Sequence, residues 1–278
     1  MIKGASLQLI MRIIVCGIAK KENRYINEWV NHYIKLGFDH IYLYDNNDLN
    51  YPYVGNYIEN KDKVTILDWR GRKEIAVLSK AYLDCYNTQD FDWCLFCDID
   101  EFLVGIDEIH NFFNTDKFNN FEQIRVMWEY FGDDGVIERD ESIPVMDFFK
   151  VKLTNDNHHN VGKFFLRSGL ELADIEPHFA WGKNRYPLKT CFPSGKPSYE
   201  SATTLYIKPQ GTYQITETIY LNHYMTKTLK EFLDQKYQTP DVMVQQFLTT
   251  RGLNYFWHLN KKTPEKEEYI KNYLKKND

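Results

Sequence analysis

The sequence predicts an α/β fold built on a parallel sheet, and three observations carry that expectation. Short apolar runs rich in β-branched residues alternate with segments of helical periodicity through the first hundred or so residues. Each apolar run leads into a polar loop, yet no Gly-rich phosphate loop and no Gly-x-Ser-x-Gly elbow occurs. The fourth run, Trp93 to Cys97, ends in Asp98-Ile99-Asp100-Glu101, a cluster of acids at a strand end. Strands joined through helices form right-handed crossovers, which gives one sheet with helices on both faces.

Taken in order, Arg12 to Cys16 is a buried strand, followed by the polar loop Gly17 to Glu22. Ile26, Trp29, Val30, Tyr33 and Ile34 then recur at helical spacing, with Gly37 as the stop signal. His40 to Tyr44 is a second strand, Asp45 to Asp48 a polar loop, Val64 to Leu67 a third strand and Lys73 to Tyr86 a second helix. After Trp93 to Cys97 the pattern changes, with a short helix over Asp107 to Phe113 and extended segments at Glu122 to Tyr130, Val145 to Val151 and Val161 to Leu166. Ser168 to Gly211 reads as irregular chain. Helices return at Lys227 to Tyr237, Asp241 to Thr249 and Pro264 to Lys275, the last with Thr263 as N-cap and Pro at the first helical position. No Pro/Gly/Ser linker divides the chain, so residues 1–278 are expected to form one domain.

Composition narrows the function. With 34 Lys and Arg against 39 Asp and Glu, and no long basic block, the chain is unsuited to neutralising the phosphates of a nucleic acid. The five cysteines, an odd number set mostly in apolar runs, point to a reducing compartment, and Cys94-x-x-Cys97 to core packing rather than redox work. No stretch reaches the roughly 20 apolar residues of a membrane span, and the first eleven residues are too polar for a signal peptide. A cytoplasmic protein is expected, with Met1 and Met11 both open as starts.

In sheets of this kind ligands bind beyond the carboxyl ends of the strands. The loops Gly17 to Glu22, Asp45 to Asp48 and Asp98 to Glu101 all follow strands and therefore gather along one edge. On an extended backbone Asp98 and Asp100 point the same way, which suits a hard divalent cation such as magnesium or manganese. Taken alone, an Asp-x-Asp is more often a solvated turn.

A wider set of motifs decides between these. Ala19-Lys20-Lys21-Glu22, Glu28-Trp29, Gly37-Phe38-Asp39-His40, Tyr44-Asp45-Asn46-Asn47, Asp98-Ile99-Asp100-Glu101-Phe102-Leu103, Trp128-x-x-Phe131-Gly132 and Asn222-His223-Tyr224-x-x-Lys227 occur in this order. The chain thereby resembles glycosyltransferases of families 2 and 92 across roughly residues 12 to 235. The resemblance implies a GT-A fold, Rossmann-like, with a mixed sheet and C-terminal helices. Residues 12–105 would form the nucleotide-sugar half, 106–235 the acceptor half and 236–278 a closing helical segment.

It also implies roles. Asp98, Asp100 and His223 would hold Mn2+ or Mg2+, with Asp98 reaching the ion or the donor ribose and Glu101 bracing the loop. Ala19, Lys20, Glu22, Asp45, Asn47 and Lys227 would surround the donor. Trp128 and Phe131 would stack on an acceptor sugar. If the reaction inverts the anomeric centre, a carboxylate must take the acceptor hydroxyl proton, and Asp134 is the candidate base, with Asp133 and Glu129 nearby. An Asx-turn at Asp45, a surface charge cluster at Lys20 and Glu22, and core packing of Trp128 and Phe131 are the competing accounts. Families of this type commonly carry Asn where Lys21 stands, Tyr-His at His32-Tyr33, Ser at Asp48 and small polar residues at Asp133-Asp134.

The expected activity is metal-dependent transfer of a sugar from a nucleotide donor, UDP-linked and with galactose favoured by the resemblance. The acceptor would be a glycan or lipid-linked glycan in surface polysaccharide synthesis. The closing helix, with Tyr269, Ile270, Tyr273 and Leu274 against Lys271, Lys275 and Lys276, offers a peripheral membrane face, with packing on the domain favoured. Two alternatives stand beside this: a haloacid-dehalogenase-like phosphatase with Asp98 as nucleophile, and a non-enzymatic glycan-binding module.

Overall fold

The structure is a computed structural model and describes residues 11–153, 161–198, 217–237 and 251–277. β1 (Ile13–Ala19), β2 (His40–Asp45), β3 (Val64–Asp68) and β4 (Trp93–Phe96) are the apolar runs of the first half. They lie parallel, in the order β3-β2-β1-β4. α1 (Asn23–Lys35) covers one face and α2 (Val77–Thr88) the other. Tyr25, Ile26, Trp29, Val30 and Tyr33 form the buried stripe of α1, packed against Ile13, Val15, Ile41 and Leu43. On the opposite face Ile14, Cys16 and Cys94 meet Leu78, Ala81, Tyr82 and Cys85. The alternation of strand residues between two buried faces is why these strands read as continuous apolar runs. All five cysteines are buried and free.

The sheet then continues with strands of mixed direction. β5 (Glu101–Val104) follows the acidic turn, α3 (Ile109–Phe113) sets Phe112 and Phe113 against Phe165 and Phe113 against Trp93, and β6 (Gln123–Tyr130) and β7 (Gly162–Arg167) add on beside β4 in the order β4-β7-β6-β11-β5. β7 is antiparallel to both β4 and β6, whereas β11 (Tyr220–His223) is parallel to β6 and antiparallel to β5. A hairpin of β8 (Leu172–Ile175) and β9 (Ala180–Gly182), and the short β10 (Thr190–Cys191) on β6, occupy the stretch expected to be irregular. α5 (Leu229–Gln235), α6 (Leu253–Leu259) and α7 (Pro264–Asn277) close the chain around a separate apolar cluster of Leu229, Phe232, Leu233, Phe256 and Ile270. One sheet thus runs through both expected halves.

Two expectations need correction. Val145 to Val151 is not a strand: Val145–Phe148 forms a helical turn, α4, after Pro144. Glu28 on α1 caps it from a distance, accepting from the backbone N–H of Val145 at 2.7 Å and of Met146 at 3.0 Å. A tertiary cap of this kind leaves no local signal. The chain through Asp98 to Asp100 is also not extended. β4 stops at Phe96 and Glu101 N–H closes a turn on Asp98 C=O at 3.2 Å, so Asp98 and Asp100 do not share a strand face. The helix expected at Asp241 to Thr249 lies outside the described residues, as do residues 1–10. Among the described residues no helix is long and apolar enough to cross a membrane.

Candidate active site

The acidic turn is built from beneath by α1. Trp29 Nε1 donates to Asp98 C=O at 3.0 Å, and Tyr33 Oη donates to Glu101 C=O at 3.1 Å. His32 Nε2 donates to Leu103 C=O at 2.8 Å. These bonds explain why a helix face that also supplies the core carries a His-Tyr pair. The turn is pinned closed by Glu101 Oε2, which accepts from Asp98 N–H at 2.9 Å.

Reversal of the chain sends the acids to different partners. Asp98 faces Lys163 on β7, with Oδ2 2.9 Å from Nζ, and also accepts from Tyr82 Oη at 3.2 Å. Asp100 points instead towards the C-terminal half. Its Oδ1 lies 3.4 Å from His223 Nε2 at the end of β11, and its Oδ2 lies 2.5 Å from Lys236 Nζ and 3.9 Å from Lys227 Nζ. Glu101 is fully buried, with Oε1 3.9 Å from Lys163 Nζ and without a hydrogen-bond partner. Glu101 pairs with His223 across the β5–β11 ladder, which brings Asp100, Glu101 and His223 together.

The charges respond to this packing. Burial would raise the Asp100 carboxyl, but Lys236, His223 and Lys227 outweigh it and hold it well below the usual carboxylate range. Asp98 is lowered too, because Lys163 overcomes its burial. Glu101 is pushed well above the usual range, chiefly by burial. His223 is lowered by burial against the pull of Asp100, which keeps the imidazole neutral and able to act as a ligand. Glu22, at the N-cap position of α1, makes no capping bond; burial and the nearby Asp100 push its carboxyl up to about 7, against Lys236 and Lys227.

Donor atoms of Asp100, Glu101 and His223 lie within 4.8 Å of one another, all three residues buried, and no other group of this kind occurs among the described residues. Two carboxyl groups and a neutral imidazole form a donor set that would accept manganese or magnesium, with Glu101 giving up its proton as the ion binds. The uncompensated Oε1 of Glu101 is the atom that such an ion would satisfy. Asp98 does not belong to this group, since the turn directs it to Lys163.

The remaining expected residues divide. Asn47 knits the loops after β1 and β2 together: its Oδ1 accepts from Lys21 N–H at 2.7 Å and its Nδ2 donates to Asn23 Oδ1 at 2.9 Å. Lys21 has a left-handed backbone (φ 59°), the conformation that the Asn common in such families adopts readily. Asp45 is buried, with Oδ1 accepting from the backbone N–H and Nδ2 of Asn47 and Oδ2 accepting from Val54 N–H at 3.0 Å. It is the Asx-turn that shapes the loop. Ala19 is buried opposite Asp45 in the β1–β2 register, and Lys20 is exposed. Lys227 is 2% exposed and left-handed (φ 54°), its Nζ 4.3 Å from the Tyr25 ring centroid.

Trp128 is buried beside the cluster, its ring 4.5 Å from His223 and 5.0 Å from His178. Phe131 is buried in the core and packs on Tyr224 at 4.7 Å, so it offers no free face for a sugar. Asp134 sits at φ 50° and accepts from the backbone N–H of Lys150 at 2.8 Å and Val151 at 3.2 Å. Asp133 is buried against Lys266 of α7, and Glu129 pairs with Lys152 at 2.5 Å. None of these three carboxylates contacts the Asp100 cluster. Sequence reasoning missed Lys163 and Lys236 as partners of the acids. Lys163, an isolated charge at the start of an apolar strand, was the available signal.

A half-sheet of parallel strands continued by strands of mixed direction, with a buried carboxylate–imidazole group ringed by lysines at its carboxyl edge, defines a GT-A-type α/β architecture. Residues 12–178 match glycosyltransferase family 92, and the chain belongs to that family. Among curated proteins none matches the sequence. Solved structures similar to it include S. aureus TarS 1–349 alone and with UDP, each at 14% identity and TM-score 0.35, covering 56% of this chain and 47% of the TarS chain. The complex of TarS 1–349 with UDP-GlcNAc is similar at 13% identity and TM-score 0.35, covering 56% of this chain and 45% of that one. The chain therefore matches about half the length of these TarS chains.

Proposed function

We propose that the protein transfers a sugar from a UDP-linked donor to a hydroxyl of a glycan acceptor, with a divalent ion held by Asp100, Glu101 and His223. The observation that carries this reading is the buried juxtaposition of these three residues at the carboxyl edge of the sheet, in a member of a glycosyltransferase family. A sugar diphosphate leaves with two phosphates, and charge accumulates there as the glycosidic bond breaks. A bound divalent ion supplies the Lewis acid that neutralises those phosphates. The chain's own cations act with it: Lys227 and Lys236 present ammonium groups at the same edge, with Lys227 held in place in advance by its burial and by the capping box that follows it. The Asn47-braced loops, with Lys20 and Glu22, shape the nucleoside side, Glu22 lying near Lys227 and Lys236. Asp45 supports that loop from within. Trp128, packed on His223, is the aromatic proposed to meet the acceptor, and a surface polysaccharide or lipid-linked glycan is the proposed acceptor class.

Calorimetric titration with UDP and UDP-sugars, with and without manganese, tests the reading. UDP binding that requires the metal, followed by sugar release to an acceptor glycan, is the expected result. Absence of UDP affinity under both conditions overturns it. A panel of UDP-sugars including UDP-galactose then identifies the donor.

A further inference from the structure

Asp100 is needed as a ligand in the reading above, yet two ammonium groups already sit on it. The three lysines of the site differ in how firmly they are held. Lys163 is wholly buried between Asp98 and Glu101. The Lys227 side chain is 2% exposed. Its backbone is locked by the capping box that starts α5, where Thr228 and Glu231 bond reciprocally, with Glu231 also held by Arg139 at 2.9 Å. Lys236 is the exception. It stands one residue past the end of α5, its side chain is 13% exposed, and it makes the shortest contact with Asp100, 2.5 Å from Nζ to Oδ2.

A cation seated among Asp100, Glu101 and His223 would compete with the Lys236 ammonium for the same carboxylate, and two cations on one buried carboxylate repel strongly. We infer that Lys236 is an exchangeable counter-ion: it neutralises Asp100 in the ion-free protein and is displaced from it when the divalent ion binds. The displaced ammonium passes to an oxyanion of the donor diphosphate, the one new anion delivered to this edge. Its four-carbon stem and partial exposure permit that short swing, whereas the lock on Lys227 does not. The consequence is coupling. Metal alone binds against a resident cation, and metal with a nucleoside diphosphate binds with that cation rehoused, so each ligand raises the affinity for the other. This inference rests on the proposed metal site.

Manganese binding, followed by the EPR signal of free Mn2+, tests it in the full chain with and without UDP. In Lys236→Met the affinity for Mn2+ alone is expected to rise about tenfold, while the factor by which UDP enhances it shrinks by a similar amount. Lys236→Arg, which retains the charge, is expected to behave like the wild type. Lys236→Gln serves as the second neutral variant if Lys236→Met fails to fold. Wild-type binding that is unchanged or weakened in the neutral variants overturns the counter-ion role and leaves the metal site standing. No Mn2+ binding by any variant, even with UDP, overturns both.

Discussion

From β1 to β3 the chain builds strand to helix to adjacent strand, β4 returns beside β1, and the buried polar groups Asn23, Asp45, Asn46 and Asn47 gather at the carboxyl edge. Beyond β5 the strands pair across long stretches of sequence, and the interior carries Arg125, Lys163, Lys227, Glu231 and Lys266. The two halves therefore contribute different things to the same edge. The first supplies a rigid turn with two aspartates, and the second supplies the cations that answer them. Asp98 and Asp100, two residues apart, are separated in role because one meets Lys163 and the other meets the C-terminal cluster. The acidic motif acquires its chemistry from a part of the chain more than sixty residues away.

The strongest test of that division is Asp100→Asn. Asparagine keeps the volume but loses the charge on which His223, Lys227 and Lys236 converge. Transfer is expected to fall by about 10^2–10^3-fold, the scale of removing a preorganised electrostatic group. Stability measured by urea denaturation is expected to fall by about 3 kcal/mol, the low end for a broken buried pair, because Glu22 still offsets Lys227 and Lys236 in part. Full activity in this variant would place the chemistry elsewhere.

Lys163→Met sharpens the other side of the comparison. Removing this cation leaves Asp98 and the fully buried Glu101 without their partner, and breaking a buried pair costs about 3–5 kcal/mol. The low end is expected, near 3 kcal/mol in urea denaturation, because the Asp98 side chain is 32% exposed and water compensates it in part. Arg125→Met should act in the opposite direction. Arg125 lies 2% exposed on β6, two of its guanidinium nitrogens lack hydrogen-bond partners, and burial pulls its pKa down to about 10. Methionine fills similar space without the desolvation cost, so a gain of roughly 1 kcal/mol is expected. A loss would show that Arg125 has an anionic partner.

The sequence made the first half legible because there the pattern is local. Strand composition and helical spacing located β1 to β4 and α1 to within a few residues, and α2 began four residues later than expected, after Ala76 in a left-handed conformation (φ 57°). The carboxyl edge followed from topology alone. What stayed hidden depended on distant partners: the helical turn at Val145 capped by Glu28, the short strands β8 to β11, and the reversal at Asp98 that sends the two aspartates apart. An Asp-x-Asp looks the same on an extended strand and in a turn. Only the pairing of β5 with β11 decides which acid stands beside His223, and that pairing joins residues about 120 positions apart in sequence.

The smallest expected effect concerns Asp134, which the sequence motif nominated as general base. Its carboxylate is already engaged by two backbone N–H groups, Lys150 and Val151, and its left-handed backbone is one that aspartate tolerates better than most residues. Both features describe a loop brace. Asp134→Asn retains one carbonyl acceptor and the same backbone tolerance, so stability is expected to drop by about 0.5–1 kcal/mol and transfer to stay within about threefold of wild type. A true base behaves differently: amide substitution removes the proton acceptor, and the rate falls by about 10^2–10^4-fold with loss of the low-pH limb of its pH profile. The pH dependence of kcat for Asp134→Asn therefore separates the two roles even if the absolute rate changes modestly. A retained low-pH limb would assign it to another group, and would show that the second half contributes form at this loop rather than chemistry.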